Sequence, residues 1–286
     1  MTGHDVKYQF EVNLDNLNNG HSLLHALVVE DGKPAMDILE IGCSSGYVGA
    51  TFIARGHRVT GIELDPDAAR AAGAVLDEVY CGDVDAFFEA HPERRFDAIL
   101  LGDVLEHLVD PRATLRRCVT HLRAGGMVAI SLPCVTHGSI RAMLLDGRWD
   151  YADYGLLDRT HLRFFSRHGM AELVSGAGLD IDRLFAVTMS IDDAAREYGM
   201  TLQQASIAAV ETLAQDDDLH TFQFVVRARP AEPALAYDEL LSRNLSLPLQ
   251  RIGPQPRVRG NRSLRVRMFR ALLGGIAARR FRKRTK

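Results

Sequence analysis

The chain has 286 residues, 47% of them hydrophobic, and a formal net charge of −3, which suits one large core with an appendage better than two equal lobes. No run approaches the ~18 consecutive apolar residues that a spanning helix needs, and the start lacks a charged region followed by an apolar one. Four cysteines, at 43, 81, 118 and 134, form no Cys-x-x-Cys pair and no short cluster with histidine, which argues against a disulfide framework or structural zinc and for reduced thiols in a cytosol.

Residues 1–34 read as a helical cap. Within them His21 and His25 lie one helical turn apart, as a satisfied cap and a packed face without a further role. A strand at 36–41, Asp37-Ile-Leu-Glu40-Ile, then runs into the glycine turn Gly42-Cys-Ser-Ser-Gly46-Tyr-Val-Gly49. Strand, tight turn and helix in that order suggest a nucleotide-cofactor site. Glu40 closes the strand, and Gly42 and Gly46 are expected to remove Cβ atoms that would keep a ligand off the backbone where the helix begins. The spacing is not Gly-x-Gly-x-x-Gly, and an acid sits where a pyrophosphate would be repelled, so S-adenosylmethionine is favoured over NAD.

Further strands are expected at 58–64, 77–81, 96–101 and 126–132, alternating with helices over Tyr47–Ala54, Pro66–Ala74, Val84–Ala90 and Pro111–Leu122. Ligands of such sheets bind beyond the carboxyl ends of the strands, so Glu40, Glu63, Asp83 and Asp103 should face one crevice. Residues 137–167 interrupt the alternation with a stretch rich in aromatic and charged side chains, expected as a lid. Ser166 can cap a helix reaching Ser175. A strand at 180–187, a helical stretch over 191–214 and a strand at 221–228 complete the expected fold: α/β, a doubly wound, mostly parallel seven-stranded sheet with an antiparallel last strand. The catalytic domain is accordingly placed at 35–228.

Residues 229–286 read as a poorly ordered, proline-marked connection into a basic tail. Residues 251–286 hold 13 of the 34 Lys and Arg and none of the acids, which leaves 21 basic against 37 acidic side chains, or −16, for residues 1–250. On a helix Met268, Phe269, Leu272, Leu273 and Ile276 share one side, followed by the cluster from Arg279 to Arg284. That pattern fits an anionic membrane surface, with a solvated tail and a tail docked on the acidic body as alternatives. Cytoplasmic localisation, with peripheral attachment at the inner face of the membrane, is the corresponding expectation. Nucleic acid is not an expected partner, because the body is acidic and lacks the Asn/Asp-Pro-Pro-Tyr pattern after the fourth strand.

Five motifs in order, Leu39-Glu-Ile-Gly-Cys-Ser-Ser-Gly46, Gly61-Ile-Glu63-Leu-Asp65, Cys81-Gly-Asp83-Val84, Phe96 through Gly102-Asp103-Val-Leu-Glu106-His107-Leu, and Leu122-Arg-Ala-Gly-Gly126-Met, resemble those of the Rossmann-like S-adenosylmethionine-dependent methyltransferases over residues 20–228. The resemblance implies S-adenosyl-L-methionine as cofactor and a set of contacts from Glu40, Gly42, Gly46, Glu63, Leu64, Asp83, Val84 and Gly102. In that family the glycine turn lies against the methionine part, the acid after the second strand takes both ribose hydroxyls, and the acid after the third meets the adenine amino group. Ser131-Leu-Pro-Cys134-Val-Thr-His137, Gly147-Arg-Trp149-Asp-Tyr151 and Gly155 through Phe165 are closer to a bacterial group associated with glycan and glycolipid biosynthesis, except that this group usually has Asn at the position of Cys134. The implied reaction is O-methylation of a sugar hydroxyl in a glycolipid or polysaccharide precursor. Another small acceptor (a quinone, polyketide or carboxylic acid) and a non-catalytic cofactor-binding scaffold are the alternatives.

Methyl transfer to a hydroxyl needs an in-line nucleophile and a group to take its proton. His107 is the first candidate base, with Asp103 and Glu106 beside it, although packing at a helix start explains it equally. His161 is the second, with Asp158 three residues earlier; a local bond that only pins the lid explains the same pair. Trp149, Tyr151 and Tyr154 offer a stacking face for a sugar ring, although core packing explains aromatics on such a segment equally. Asp103, Glu106 and His107 are also a conceivable Mg²⁺ set, but their spacing requires no metal and none is expected.

Overall fold

The computed structural model describes residues 12–213, 218–232 and 235–252. Eight strands, β1 (Asp37–Ile41), β2 (Arg58–Glu63), β3 (Glu78–Cys81), β4 (Phe96–Gly102), β5 (Leu122–Pro133), β6 (Leu179–Thr188), β7 (Thr221–Pro230) and β8 (Gln250–Arg251), form one sheet among the described residues, in the order β3-β2-β1-β4-β5-β7-β6-β8. The first five are parallel, and β7 runs antiparallel between β5 and β6. The chain reverses between β1 and β4, the point at which an open α/β sheet leaves a crevice beyond its strand ends.

Alternation along the strands explains why both faces are covered. In β4, Ala98 and Leu100 face one apolar layer with Ile38, Val59, Phe52 and the helix α1 (Gly20–Val29), while Ile99 and Leu101 face the other with Leu39, Val128, Phe87 and Leu115. The helices α2 (Gly49–Ile53), α3 (Pro66–Ala72), α4 (Val84–Ala90) and α5 (Pro111–Thr120) follow β1 to β4 in turn. Asp65, Asp83 and Asp110 cap the last three by accepting from first-turn amides, with proline at the first position of α3 and α5.

Three differences from the expected elements have local causes. Strand β5 begins at Leu122 rather than 126, because Leu122 pairs with Phe96 across an irregularity ahead of the Ala98–Met127 pair. The helical stretch after 190 is two helices, α8 (Ile191–Glu197) and α9 (Gln204–Leu213), separated where Gly199 turns left-handed at φ +63°. The connection after β7, where described, is structured rather than loose. It forms α10 (Tyr237–Ser246), whose buried Asn244 accepts from Ile181 N (2.8 Å) and donates to Ser175 Oγ (2.9 Å) and Leu179 O (3.0 Å), and then the two-residue edge strand β8 beside β6. The basic tail beyond residue 252, with its expected amphipathic face, lies outside the described residues. No helix among the described residues is long and apolar enough to cross a membrane.

One buried ion network positions the site. Arg227 on β7, 2% exposed, donates to Asp182 (2.8 and 3.0 Å) and to the Leu27 carbonyl (3.0 Å), and lies 2.9 Å from Glu30. It ties the end of α1 to the last strands. Removing one partner of such a network strands a buried charge, so α1 is held firmly and its first turn stays over the end of β4.

Candidate active site

The glycine turn after β1 is left-handed at Gly42 (φ +69°), Ser44 (φ +49°) and Gly46 (φ +80°). A Cβ on Gly42 would lie 2.6 Å from Val104 Cγ2, and one on Gly46 2.7 Å from Val75 Cγ2. Backbone conformation and packing inside the protein therefore both call for glycine at these two positions. Glu63, half-buried at the end of β2, braces the turn by accepting from Ser44 N (2.7 Å) and Asp65 N (2.9 Å). A carboxylate can accept more bonds than these two. Beside it Leu64 is 72% exposed, an isolated apolar side chain on the rim. Asp83 is exposed as the cap of α4, while Val84 turns inward.

Glu40 does not stand open on this rim. It is 6% exposed beneath the turn, where the absent side chain of Gly49 makes room for it: a Cβ there would sit 2.6 Å from Glu40 Oε2. That oxygen has no hydrogen-bond partner. Burial pushes the carboxyl up to about 8, against the Gly49 amide and with the charge of Glu63. A folded-state value above the ordinary 4.5 means that the protonated form stabilises the fold, and that this contribution is lost as pH rises from about 4.5 through about 8. Glu40→Gln should flatten the alkaline limb: between pH 6 and 9 the melting temperature of the cofactor-free wild type is expected to fall further than that of the variant. Parallel curves would contradict a buried, neutral Glu40.

Asp103 follows β4 in a left-handed conformation (φ +54°) uncommon for a residue with a side chain. Its carboxylate accepts from Ser131 Oγ (3.0 Å) and from Gln223 Nε2, and its other oxygen lies 3.9 Å from His21 Nε2. His21 comes from the first turn of α1, packs edge-on against Tyr47 at 5.3 Å, and is kept mostly neutral by burial, which outweighs the pull of Asp103. Asn19, not His21, caps α1. His25 is the packed residue that was expected, stacked on Phe52 and bonded to Thr51 Oγ1 at 2.7 Å. Gly102 lies beside this group, where a Cβ would be 3.9 Å from both His21 and Ser131 Oγ.

The next turn, a 3₁₀ segment over Leu105–His107, carries a second cluster. Glu106 is 1% exposed, and neither of its carboxylate oxygens has a hydrogen-bond partner. Burial, then the charge of Asp103, raises it well above the carboxylate range. His161 Nε2 is 4.0 Å from Glu106 Oε1, and the His161 and His107 rings meet edge-on at 4.8 Å. The chain between α6 (Gly138–Leu145) and α7 (Arg167–Gly176) delivers His161: Leu162 N and Arg163 N both donate to the Glu106 carbonyl, at 2.8 and 3.1 Å. His107 is oriented by Thr160 O, 3.2 Å from its Nδ1, rather than by Asp103. Asp158 accepts from Thr160 N and Oγ1 (2.8 and 2.6 Å) and so braces the residue that holds His107.

The three aromatics of residues 149–154 part company. Trp149 packs edge-on against Phe164 at 5.2 Å in a small core with Ile140, Met143 and Leu157, whereas Tyr151 and Tyr154 are 53% and 56% exposed. Cys134 is fully buried against Thr136. Sequence reasoning missed His21, Ser131 and Gln223. They lie on different elements, and only the crossing of α1 over β4, β5 and β7 brings them to Asp103.

A family profile described as a methyltransferase domain matches residues 16–184. Among curated proteins, the ubiquinone biosynthesis O-methyltransferase of Chromobacterium violaceum is 27% identical over 184 residues, covering 59% of this chain and 78% of that protein. The enzyme of the same name from a Bradyrhizobium species is 33% identical over 102 residues, 33% of this chain and 38% of its own length. Among solved structures, the O-methyltransferase from the trans-AT PKS multienzyme of Brevibacillus brevis, in complex with S-adenosyl-L-homocysteine, superposes with a TM-score of 0.52 at 18% identity over 78% of this chain and 76% of that one. A SAM dependent methyltransferase from Archaeoglobus fulgidus gives 0.50 at 16%, covering 75% and 96%. At these identities the structural likeness speaks for the fold.

Proposed function

The chain belongs to the methyltransferase-domain family and uses S-adenosyl-L-methionine, and from that premise we propose that it transfers the methyl group to a hydroxyl oxygen. The residues present fit the cofactor: a braced carboxylate at Glu63 with acceptor capacity to spare for a ribose diol, the exposed Leu64 as a face for adenine, and Asp83 with the Val84 amide at the adenine edge. Gly42, Gly46 and Gly102 border the methionine part, and Glu40 lies beneath the turn. Bound there, the cofactor supplies a methyl group on a cationic sulfonium, which an acidic rim favours.

The observation that carries the O-methyl reading is the His21–Asp103 pair, a neutral imidazole facing a carboxylate 3.9 Å away at the end of β4. As the acceptor oxygen forms the new C–O bond and the S–C electron pair returns to sulfur, the hydroxyl proton passes to His21, and Asp103 stabilises the imidazolium. His107 and His161 form the far end of the same rim and fix the acceptor oxygen. The base role thereby moves from His107 to His21, because Asp103 faces the latter.

For the acceptor, the reading is a sugar hydroxyl of a glycolipid or polysaccharide precursor. It is supported by the lid motifs and by the exposed rings of Tyr151 and Tyr154, flat surfaces suited to the C–H faces of a sugar. A quinone precursor is the second reading, favoured by the names of the curated relatives. Mass spectrometry of a deletion strain separates them: glycolipid or polysaccharide short of one methyl group supports the first, an unmethylated quinone precursor the second, and neither change removes both.

A further inference from the structure

We propose that Glu106, His107 and His161 form a binding site for a divalent transition-metal cation, with an open coordination position that takes the acceptor oxygen. The inference rests on the reading of this rim as the acceptor site, and it specifies how the oxygen is fixed.

Four observations converge. First, one ligand atom from each residue lies within 4.8 Å of the other two. Donors around a single ion at ~2.1 Å are about 3.4 Å apart, so small side-chain rotations close the set. Second, Glu106 is buried to 1% exposure with both carboxylate oxygens unpartnered. Buried polar atoms are nearly always satisfied, and here His161 Nε2 lies 4.0 Å from Oε1, too far for a hydrogen bond but within reach of a shared cation.

Third, both imidazoles are oriented from behind. Nδ1 of His107 lies 3.2 Å from Thr160 O, and Nδ1 of His161 lies 3.3 Å from Leu156 O. Thr160 Oγ1, also 3.2 Å from Nδ1 of His107, gives its own proton to Asp158, and a carbonyl only accepts, so each Nδ1 carries the proton and each Nε2 keeps a lone pair, the form in which metal-binding histidines are held. Fourth, the framework is rigid where it matters. Leu162 N and Arg163 N grip the Glu106 carbonyl, and Asp158 holds Thr160, so the ligands on the lid and on the turn after β4 are fixed to one another.

The donor chemistry selects the ion. Two imidazole nitrogens and one carboxylate suit Zn²⁺, Mn²⁺ or Fe²⁺ and not the all-oxygen preference of Mg²⁺ or Ca²⁺. Three protein ligands leave a position free, as open catalytic sites do. His107 is half-buried while His161 and Glu106 are enclosed, so the free position opens on the His107 side. An acceptor hydroxyl bound there would be acidified by the cation, and its proton would leave to the His21–Asp103 pair.

The test is calorimetric titration of chelator-stripped, full-length protein with ZnCl₂ and, separately, MgCl₂, together with elemental analysis after dialysis. One equivalent of zinc per chain is expected, bound at least ~100-fold more tightly than magnesium, and Glu106→Gln and His161→Ala should each weaken it by ~100-fold or more. S-adenosyl-L-methionine affinity, measured on the same samples, reports whether the variants are folded. Zinc bound substoichiometrically by the wild type, or equally well by folded variants, would overturn the site. Stoichiometric zinc in an enzyme whose methyl transfer is indifferent to chelation would leave the site standing and overturn its link to the acceptor.

Discussion

Glu63→Ala should weaken S-adenosyl-L-methionine binding by about a hundredfold or more. A diol held by one carboxylate gives two charge-assisted hydrogen bonds, each contributing about 1.5–3 kcal/mol when fully formed, and about 1.4 kcal/mol is a factor of ten in affinity. A second effect acts in the same direction. The carboxylate also accepts from Ser44 N and Asp65 N, so the variant releases the left-handed turn proposed to border the methionine part. Isothermal calorimetry measures both together. Glu63→Gln, which keeps the size and one acceptor oxygen, should fall between wild type and Glu63→Ala. Wild-type affinity in the alanine variant would remove Glu63 from the ribose role.

Asp103→Asn and His21→Ala should leave cofactor affinity within a few-fold of wild type while lowering kcat by ~10²–10⁴-fold, the span of a lost general base. The pH profile distinguishes this from simple misplacement. Burial keeps the His21 pKa below the ordinary 6.5, and Asp103 opposes that shift. The wild type should therefore be flat above pH 6.5 and lose activity on the acid side as His21 protonates. Asn at 103 removes the opposing charge, so the residual activity should persist to lower pH. An acid limb that stays in place in the Asn variant would assign the proton to another group. His107→Ala should also lose turnover with cofactor binding retained, because it removes part of the surface that fixes the acceptor oxygen.

The strands and turns of the proposed donor side were legible in the sequence because they are local. A strand, a glycine turn and strand-end acids at Glu40, Glu63 and Asp83 sit within some fifty residues, and each follows from periodicity and turn chemistry. What that reading could not supply was depth. Glu40 and Glu63 look alike as strand-end acids, yet Gly49 lets one sink beneath the turn while Ser44 N and Asp65 N hold the other at the rim.

The proposed acceptor side was harder because it is assembled from distant residues. Asp103 meets His21 across more than eighty residues, through a helix that Arg227 ties to β7. His107 meets His161 only because lid amides bond the Glu106 carbonyl. For Trp149 the sequence leaves a binding face and core packing equally open, and the structure packs it, partly buried, against that segment's own small core. Burial of a polar residue such as Glu106, the strongest signal at this end, has no trace in composition or spacing.

The most direct measurement is transfer itself. The full-length chain, given S-adenosyl-L-methionine labelled in its methyl group and incubated with lipid-linked glycan and quinone-precursor fractions, should place label on a hydroxyl oxygen of one fraction, in amounts matching the S-adenosylhomocysteine formed, and Asp103→Asn should not. Cofactor bound by the full-length chain with no label transferred to any fraction would contradict an O-methyltransferase and leave a cofactor-binding scaffold.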